Sequence, residues 1–172
     1  MRKEKHKRVT LSNEEAIENF GGTVYRVALD ISKHEADAQD VFQEVFLRYI
    51  KYRRVHAFNS MEHAKAWFIR VTINCCRDLF TKRSKKQKFE TDDSALRTVP
   101  SVEKKEANYD VLEAVQGLRE NYRIVIHLFY YEGYKIREIA DLLDENENTV
   151  KTRLSRAKKE LEQKLGKYKG RR

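Results

Sequence analysis

The sequence predicts an all-α protein of two small helical domains joined by a flexible linker, and three observations carry that prediction. Helix breakers are scarce, with one proline and six glycines in 172 residues, while Leu, Glu, Lys, Arg and Ala are abundant. Apolar residues recur at helical spacing in two separate blocks of the chain. Between the blocks, over about residues 84–102, that periodicity stops, polar residues dominate, and the only proline, Pro100, is found. The pattern divides the chain into a basic tail at 1–14, a helical domain at 15–83, a linker at 84–106, a second helical domain at 107–166 and a basic tail at 167–172.

The first domain reads as three helices. Ile17, Phe20, Val24, Val27, Ala28 and Ile31 give the first its apolar stripe over residues 16–31. Gly21 and Gly22 interrupt it, each costing about 1 kcal/mol relative to Ala in a helix. The second helix spans about residues 35–54, with Ala38, Val41, Phe42, Val45, Phe46 and Tyr49 on its apolar side. Its opposite side carries Asp40, Gln43 and Glu44 around Leu47. A large aliphatic group among acids and amides is either a singly exposed leucine or the apolar centre of a partner surface with an acidic rim.

The third helix, about residues 61–80, is apolar on nearly every side and should be buried. A narrow strip of Arg70, Asn74 and Arg77 interrupts the apolar surface. Those groups need partners, either carboxylates of neighbouring helices or nucleic acid. Five basic residues within 82–88, among them Lys82 and Arg83, extend the second path. Phe58 and Trp67 lie near enough in sequence to offer stacking surfaces.

In the second domain helical spacing resumes near Asn108 and continues through four segments to about Leu165. Residues 136–154 have the pattern of a helix-turn-helix. Ile136, Ile139, Ala140 and Leu143 share one side of the first helix, with small Ala140 where two steeply crossing helices must approach. Residues 144–146 make the turn, and Asn146 or Asn148 can cap the second helix. Asp144 holds a turn position that favours glycine, and Asp tolerates a left-handed backbone better than most residues.

Val150, Leu154, Ala157 and Leu161 then point inward. Asn148, Thr152, Ser155 and Lys159 point outward, flanked by Lys151 and Arg156, with no acid between Lys151 and Arg156 and none until Glu160. Short polar groups with flanking cations near a helix N-terminus are what major-groove reading requires.

The formal charge of +9 and pI near 9.5 point to a polyanionic partner, nucleic acid or an anionic membrane surface. Residues 151–172 alone hold ten Lys/Arg against Glu160 and Glu162. The basic start of the chain lacks the apolar region of a signal peptide, and no run approaches the roughly 20 apolar residues of a membrane span. The expectation is a cytoplasmic protein without membrane insertion. Cys75 and Cys76, the only cysteines, are adjacent in an apolar stretch and read as buried structural thiols. His6, His34, His56, His63 and His127 show no metal-ligand spacing, no Gly-rich phosphate loop is present, and no nucleophile has an obvious base. Catalysis, metal and cofactors are therefore not expected.

At these residues the chain resembles a family. Asp37-Ala38-Gln39-Asp40-Val41-Phe42-Gln43-Glu44-Val45-Phe46-Leu47-Arg48 resembles the polymerase-binding segment of the extracytoplasmic-function (ECF) group of sigma-70 factors. Ala66-Trp67-Phe68-Ile69-Arg70-Val71-Thr72-Ile73-Asn74-Cys75-Cys76-Arg77-Asp78 is similar to the segment that engages the minus-10 element. Tyr122-Arg123, Tyr130-Tyr131-Glu132-Gly133-Tyr134 and Thr149-Val150-Lys151-Thr152-Arg153-Leu154-Ser155-Arg156-Ala157 resemble region 4, which binds the minus-35 element. The chain departs from the family at Gly21-Gly22, at the missing Leu-Pro before Tyr122, where it has Leu118-Arg119-Glu120-Asn121, and at Asp144. Nothing resembles region 1.1, region 3 or a His-x3-Cys-x2-Cys zinc motif.

The resemblance implies a sigma region 2 bundle and a sigma region 4 helix-turn-helix. It assigns Asp40, Gln43, Glu44 and Leu47 to core RNA polymerase. Arg70, Asn74, Arg77, Lys82 and Arg83 fall to minus-10 DNA, and Asn148, Lys151, Thr152, Ser155, Arg156 and Lys159 to minus-35 DNA. It also implies promoter melting and an anti-sigma factor as a further partner. The alternative is a stand-alone helix-turn-helix regulator whose amino-terminal domain senses or binds something else.

Overall fold

The computed structural model describes residues 8–89 and 109–169, which belong to two compact units divided between Asp93 and Ser94. Residues 1–7 and 170–172 and most of the expected linker lie outside the described residues. Every regular element described is helical, apart from one bridge between Val9 and Phe58.

The amino-terminal unit packs α1 (Asn13–Ser32), α2 (Glu35–Tyr52) and α3 (Met61–Phe89) against one another. A capping box starts α1: Ser12 Oγ accepts from the Glu15 amide at 3.1 Å, and Glu15 Oε2 accepts from the Ser12 amide at 2.7 Å. The helix runs unbroken through Gly21 and Gly22. Burial of Phe20, Val24, Val27 and Ile31 against α2 and α3 outweighs their propensity penalty. Ile17, expected on the apolar stripe, is exposed at its edge.

The core is aromatic. Phe68 of α3 is fully buried, with Phe20 stacked at 4.9 Å, Tyr49 at 5.0 Å and Phe46 at 5.4 Å between ring centroids. Phe58 does not offer a stacking surface. It is buried, within 5.3 Å of Tyr52 and 5.8 Å of Trp67, and Trp67 is itself half-buried among these rings. The chain before α1 is strapped on by the same residue, since Val9 and Phe58 exchange backbone bonds of 2.7 and 2.9 Å. Tyr49 Oη donates to the Leu11 carbonyl at 2.8 Å, and Arg53 donates to Asn13 Oδ1 at 2.6 Å.

α3 continues past its predicted end to Phe89. Lys, Arg and Gln form helix readily, and cations favour a helix C-terminus, so lost apolar periodicity did not mean lost helix. Its length lets Arg83 reach back to Asp37 in the first turn of α2, both guanidinium arms donating to the carboxylate. Asp37 is 5% exposed at its side chain and Arg83 51%.

The carboxy-terminal unit comprises α4 (Tyr109–Gln116), α5 (Glu120–Ile126), a π-turn (His127–Tyr131), α6 (Ile136–Leu143) and α7 (Glu147–Lys169). α4, α5 and α6 all pack on α7. Leu118, Leu128, Ile139, Leu143, Val150 and Leu154 form its core. Arg119 caps α5 with φ −64°, the value proline imposes. Arg123 is buried and donates to the Leu118 carbonyl. After the π-turn, Gly133 at φ 75° reverses the chain, a conformation that side chains disfavour.

Arg83→Met should leave the buried Asp37 carboxylate without its bidentate partner and destabilise the amino-terminal unit by about 2 kcal/mol. Buried pairs lose more, but the half-exposed arginine calls for a discount. Asp37→Asn in the same background should recover part of the loss. Urea titration followed by fluorescence of Trp67, the only tryptophan, reports this unit alone.

Candidate functional site

Three surfaces follow from how these helices are rotated. On α2, burial of Ala38, Val41, Val45 and Tyr49 turns Asp40, Gln43, Glu44 and Leu47 outward, all exposed. Leu47 is 54% exposed among them, as both alternatives that its spacing allowed require. Glu44 is held from one turn ahead by Arg48 Nε at 2.7 Å, and Arg48 Nη2 reaches Asp78 Oδ2 on α3 at 3.2 Å.

On α3, Arg70, Asn74 and Arg77 form an exposed line opposite the buried Phe68, and Lys82 is exposed beyond them. Arg83 does not join that line, because its guanidinium is bound to Asp37. The side chains of residues 84–89 lie outside those described. Cys75 and Cys76 are buried thiols outside any disulfide, and burial pushes the Cys75 thiol up to about 11, which keeps it protonated and unreactive at neutral pH. His63 accepts from the Asn59 amide through Nδ1 at 3.2 Å, while its own amide donates to Ser60 Oγ at 3.1 Å. It therefore caps the start of α3 and does not approach the cysteines as a ligand.

The helix-turn-helix is α6 and α7. Asp144 ends α6 in the left-handed region at φ 56°, ψ 50°. Asn146 is the cap of α7: its Oδ1 accepts from the Thr149 amide at 2.8 Å and from the Thr149 hydroxyl at 3.0 Å. Val150, Leu154 and Ala157 are buried and Leu161 half-buried, whereas Asn148, Lys151, Thr152, Ser155, Arg156 and Lys159 are all exposed. Glu147 lies 3.8 Å from Lys151, and Glu145 holds Arg153 at 2.7 Å. Among the described residues Arg156 has no ion pair.

Asn121 and Tyr122 of α5 border the same concavity as Asn148, Thr152 and Arg156. Sequence spacing gave no sign of this, because α5 reaches α7 only through tertiary packing. Lys158 lies 5.6 Å from the ring centroids of both Phe129 and Tyr130, a cation–π contact that anchors its ammonium.

The description of sigma-70 region 2 matches residues 16–86, and that of sigma-70 region 4 matches residues 109–161. The RNA polymerase sigma factor SigV of Bacillus subtilis is 33% identical over 135 residues, covering 78% of this chain and 80% of that protein. The chain belongs to the ECF group of the sigma-70 family. The ECF sigma factor SigM of Bacillus subtilis is 25% identical over 152 residues, covering 86% of this chain and 91% of that one. In fold, this sigma factor is similar to the sigma factor RpoE of Bartonella quintana, solved with its anti-sigma factor NepR. The TM-score is 0.73 at 19% identity, over 89% of this chain and 96% of that one. No helix among the described residues of the sigma factor is long and apolar enough to cross a membrane.

Asp144→Gly should leave the helix-turn-helix unchanged or slightly firmer, because glycine adopts φ 56° without strain. Asp144→Val should weaken it by about 1–2 kcal/mol. Hydrogen exchange of α6 and α7 amides in the full chain measures both.

Proposed function

We propose that this sigma factor binds core RNA polymerase through Asp40, Gln43, Glu44 and Leu47, engages the minus-10 element through α3, and reads the minus-35 element through α7. The supporting observation is that each α7 residue expected to face DNA is exposed on one side while Val150, Leu154 and Ala157 are buried on the other. It acts where polymerase and promoter DNA are, in the cytoplasm, and takes no catalytic part.

At minus-10, extruding a base from the stack costs a few kcal/mol, which is recovered only by contacts already in position. Asn74 supplies a donor and an acceptor for a base edge, and Arg70, Arg77 and Lys82 supply charge for the adjoining phosphates. Arg83 is left out of this set because Asp37 engages it. At minus-35, Thr152, Ser155 and Arg156 face base edges, with Asn148, Lys151 and Lys159 around them. The relative solved with an anti-sigma factor supports a similar inhibitor for this chain.

Co-purification with core polymerase followed by run-off transcription tests the function as a whole. Tight, polymerase-independent binding to duplex DNA with no run-off product would favour the stand-alone regulator. Leu47→Ala combined with Glu44→Ala should weaken core binding at least several-fold without unfolding the chain, as a titration against core enzyme reads directly.

Arg156→Ala should alter which minus-35 sequences are used, since a base-edge contact carries about 1–3 kcal/mol of discrimination. Transcription from a library of randomised minus-35 elements decides this. A uniform loss with the ranking preserved would make Arg156 a phosphate contact.

A further inference from the structure

One side chain touches the α2 surface and also the helix that carries the α3 strip. Arg48 donates through Nε to Glu44 Oε1 at 2.7 Å, one turn back on its own helix, and through Nη2 to Asp78 Oδ2 at 3.2 Å on α3. The two bonds use different arms of the planar fork, so a single ammonium cannot reproduce both. Side-chain exposures of 39% for Arg48, 49% for Glu44 and 55% for Asp78 leave all three in reach of an approaching partner. Ion pairs this exposed contribute little to folding. Their effect is geometric: the Glu44 carboxylate is fixed beside Leu47, and Asp78 is fixed next to Arg77, the last member of the α3 line.

We propose that Arg48 is a positioning residue for polymerase binding, holding the Glu44 carboxylate in the orientation core polymerase meets and tying that face to α3 through Asp78. The proposal rests on the assignment of Asp40, Gln43, Glu44 and Leu47 to polymerase. A glutamate already held in one rotamer loses less freedom on binding, and immobilising such a side chain is worth about two- to tenfold in affinity. Arg48 contributes that factor through the Glu44 carboxylate.

The test is a double-mutant cycle on the full chain, read as the dissociation constant for bacterial core RNA polymerase at fixed salt. Wild type, Arg48→Ala, Glu44→Ala and the double variant are compared. Arg48→Gln serves as a second variant that stays polar but removes the charge and shortens the side chain, and urea midpoints report folding. Arg48→Ala and Arg48→Gln should each weaken binding about two- to tenfold with little change in midpoint. Neither should have any further effect once Glu44 is alanine.

If Glu44→Ala weakens binding but the Arg48 variants do not, or strengthen it by unmasking acidic charge, the positioning role is overturned and the polymerase face stands. If the Arg48 effect persists in full in the Glu44→Ala background, Arg48 acts on its own account and the proposal is equally overturned. If Glu44→Ala and Leu47→Ala both leave the affinity unchanged, the assignment of the face itself is wrong.

Discussion

The ring of Phe68 lies where α1, α2, α3 and the connection before α3 meet, and each surface the amino-terminal unit shows is set by that meeting. Rings from α1, α2 and the connection close on it at 4.9 to 6.5 Å. Each aromatic pair adds about 0.5–1.5 kcal/mol beyond its buried area. The larger consequence is rotational. At about 100° per residue, an inward Phe68 sends Arg70, Asn74 and Arg77 to the far side of α3. An inward Val45 sends Asp40, Gln43, Glu44 and Leu47 to the far side of α2 by the same geometry. Display is therefore largely a by-product of burial: packing sets the side of the helix each outward residue occupies, and contacts such as Arg48 to Glu44 fix the side chain beyond it.

Charge is divided with equal economy. Cations that serve the fold are held by specific acceptors: Arg83 by Asp37, Arg123 by the Leu118 carbonyl, Arg153 by Glu145. Arg77, Lys82 and Arg156 are exposed and have no ion pair among the described residues. A basic composition does not reveal which cations belong to which group, since an arginine that braces a helix and one that meets a phosphate are the same letter. The partner decides, and partners such as Asp37 and Arg83 lie 46 residues apart.

The sequence carried the rotation of each helix because apolar periodicity is a direct image of burial. Asp144 stood out as the residue that had to accept a left-handed turn, and it does. Three features were illegible for three separate reasons. Phe58 carries no periodic context, so only the tertiary structure shows that it fills the core and pairs with Val9. The extension of α3 to Phe89 is polar and helical at once, a combination that hydrophobic periodicity cannot detect. The π-turn at His127–Tyr131 repeats on neither helical nor strand spacing. The start of α1 was legible in principle, since Ser12 and Glu15 have the spacing of a capping box, but the apolar stripe begins only at Ala16.

A polymerase-dependent factor and a stand-alone regulator make different demands on α7. The side of α7 proposed to read DNA has short neutral groups, Asn148, Thr152 and Ser155, with Lys151, Arg156 and Lys159 around them. The neutral groups of such a face discriminate sequences but add little affinity, because affinity for duplex DNA comes mainly from phosphate neutralisation by the surrounding cations. A regulator acting alone has to supply that affinity itself and usually does so as a dimer on two half-sites. Two weak readers in one chain gain it by linkage instead: when one is seated, the other sees its element at an effective concentration in the millimolar range for short tethers. Weak individual readers also resist being titrated by the very many non-specific sites of a genome. With the net charge of +9, a tighter reading face would make non-specific capture worse. A neutral centre on the α7 face is therefore consistent with the proposed factor, held at its promoter by a third contact, on polymerase.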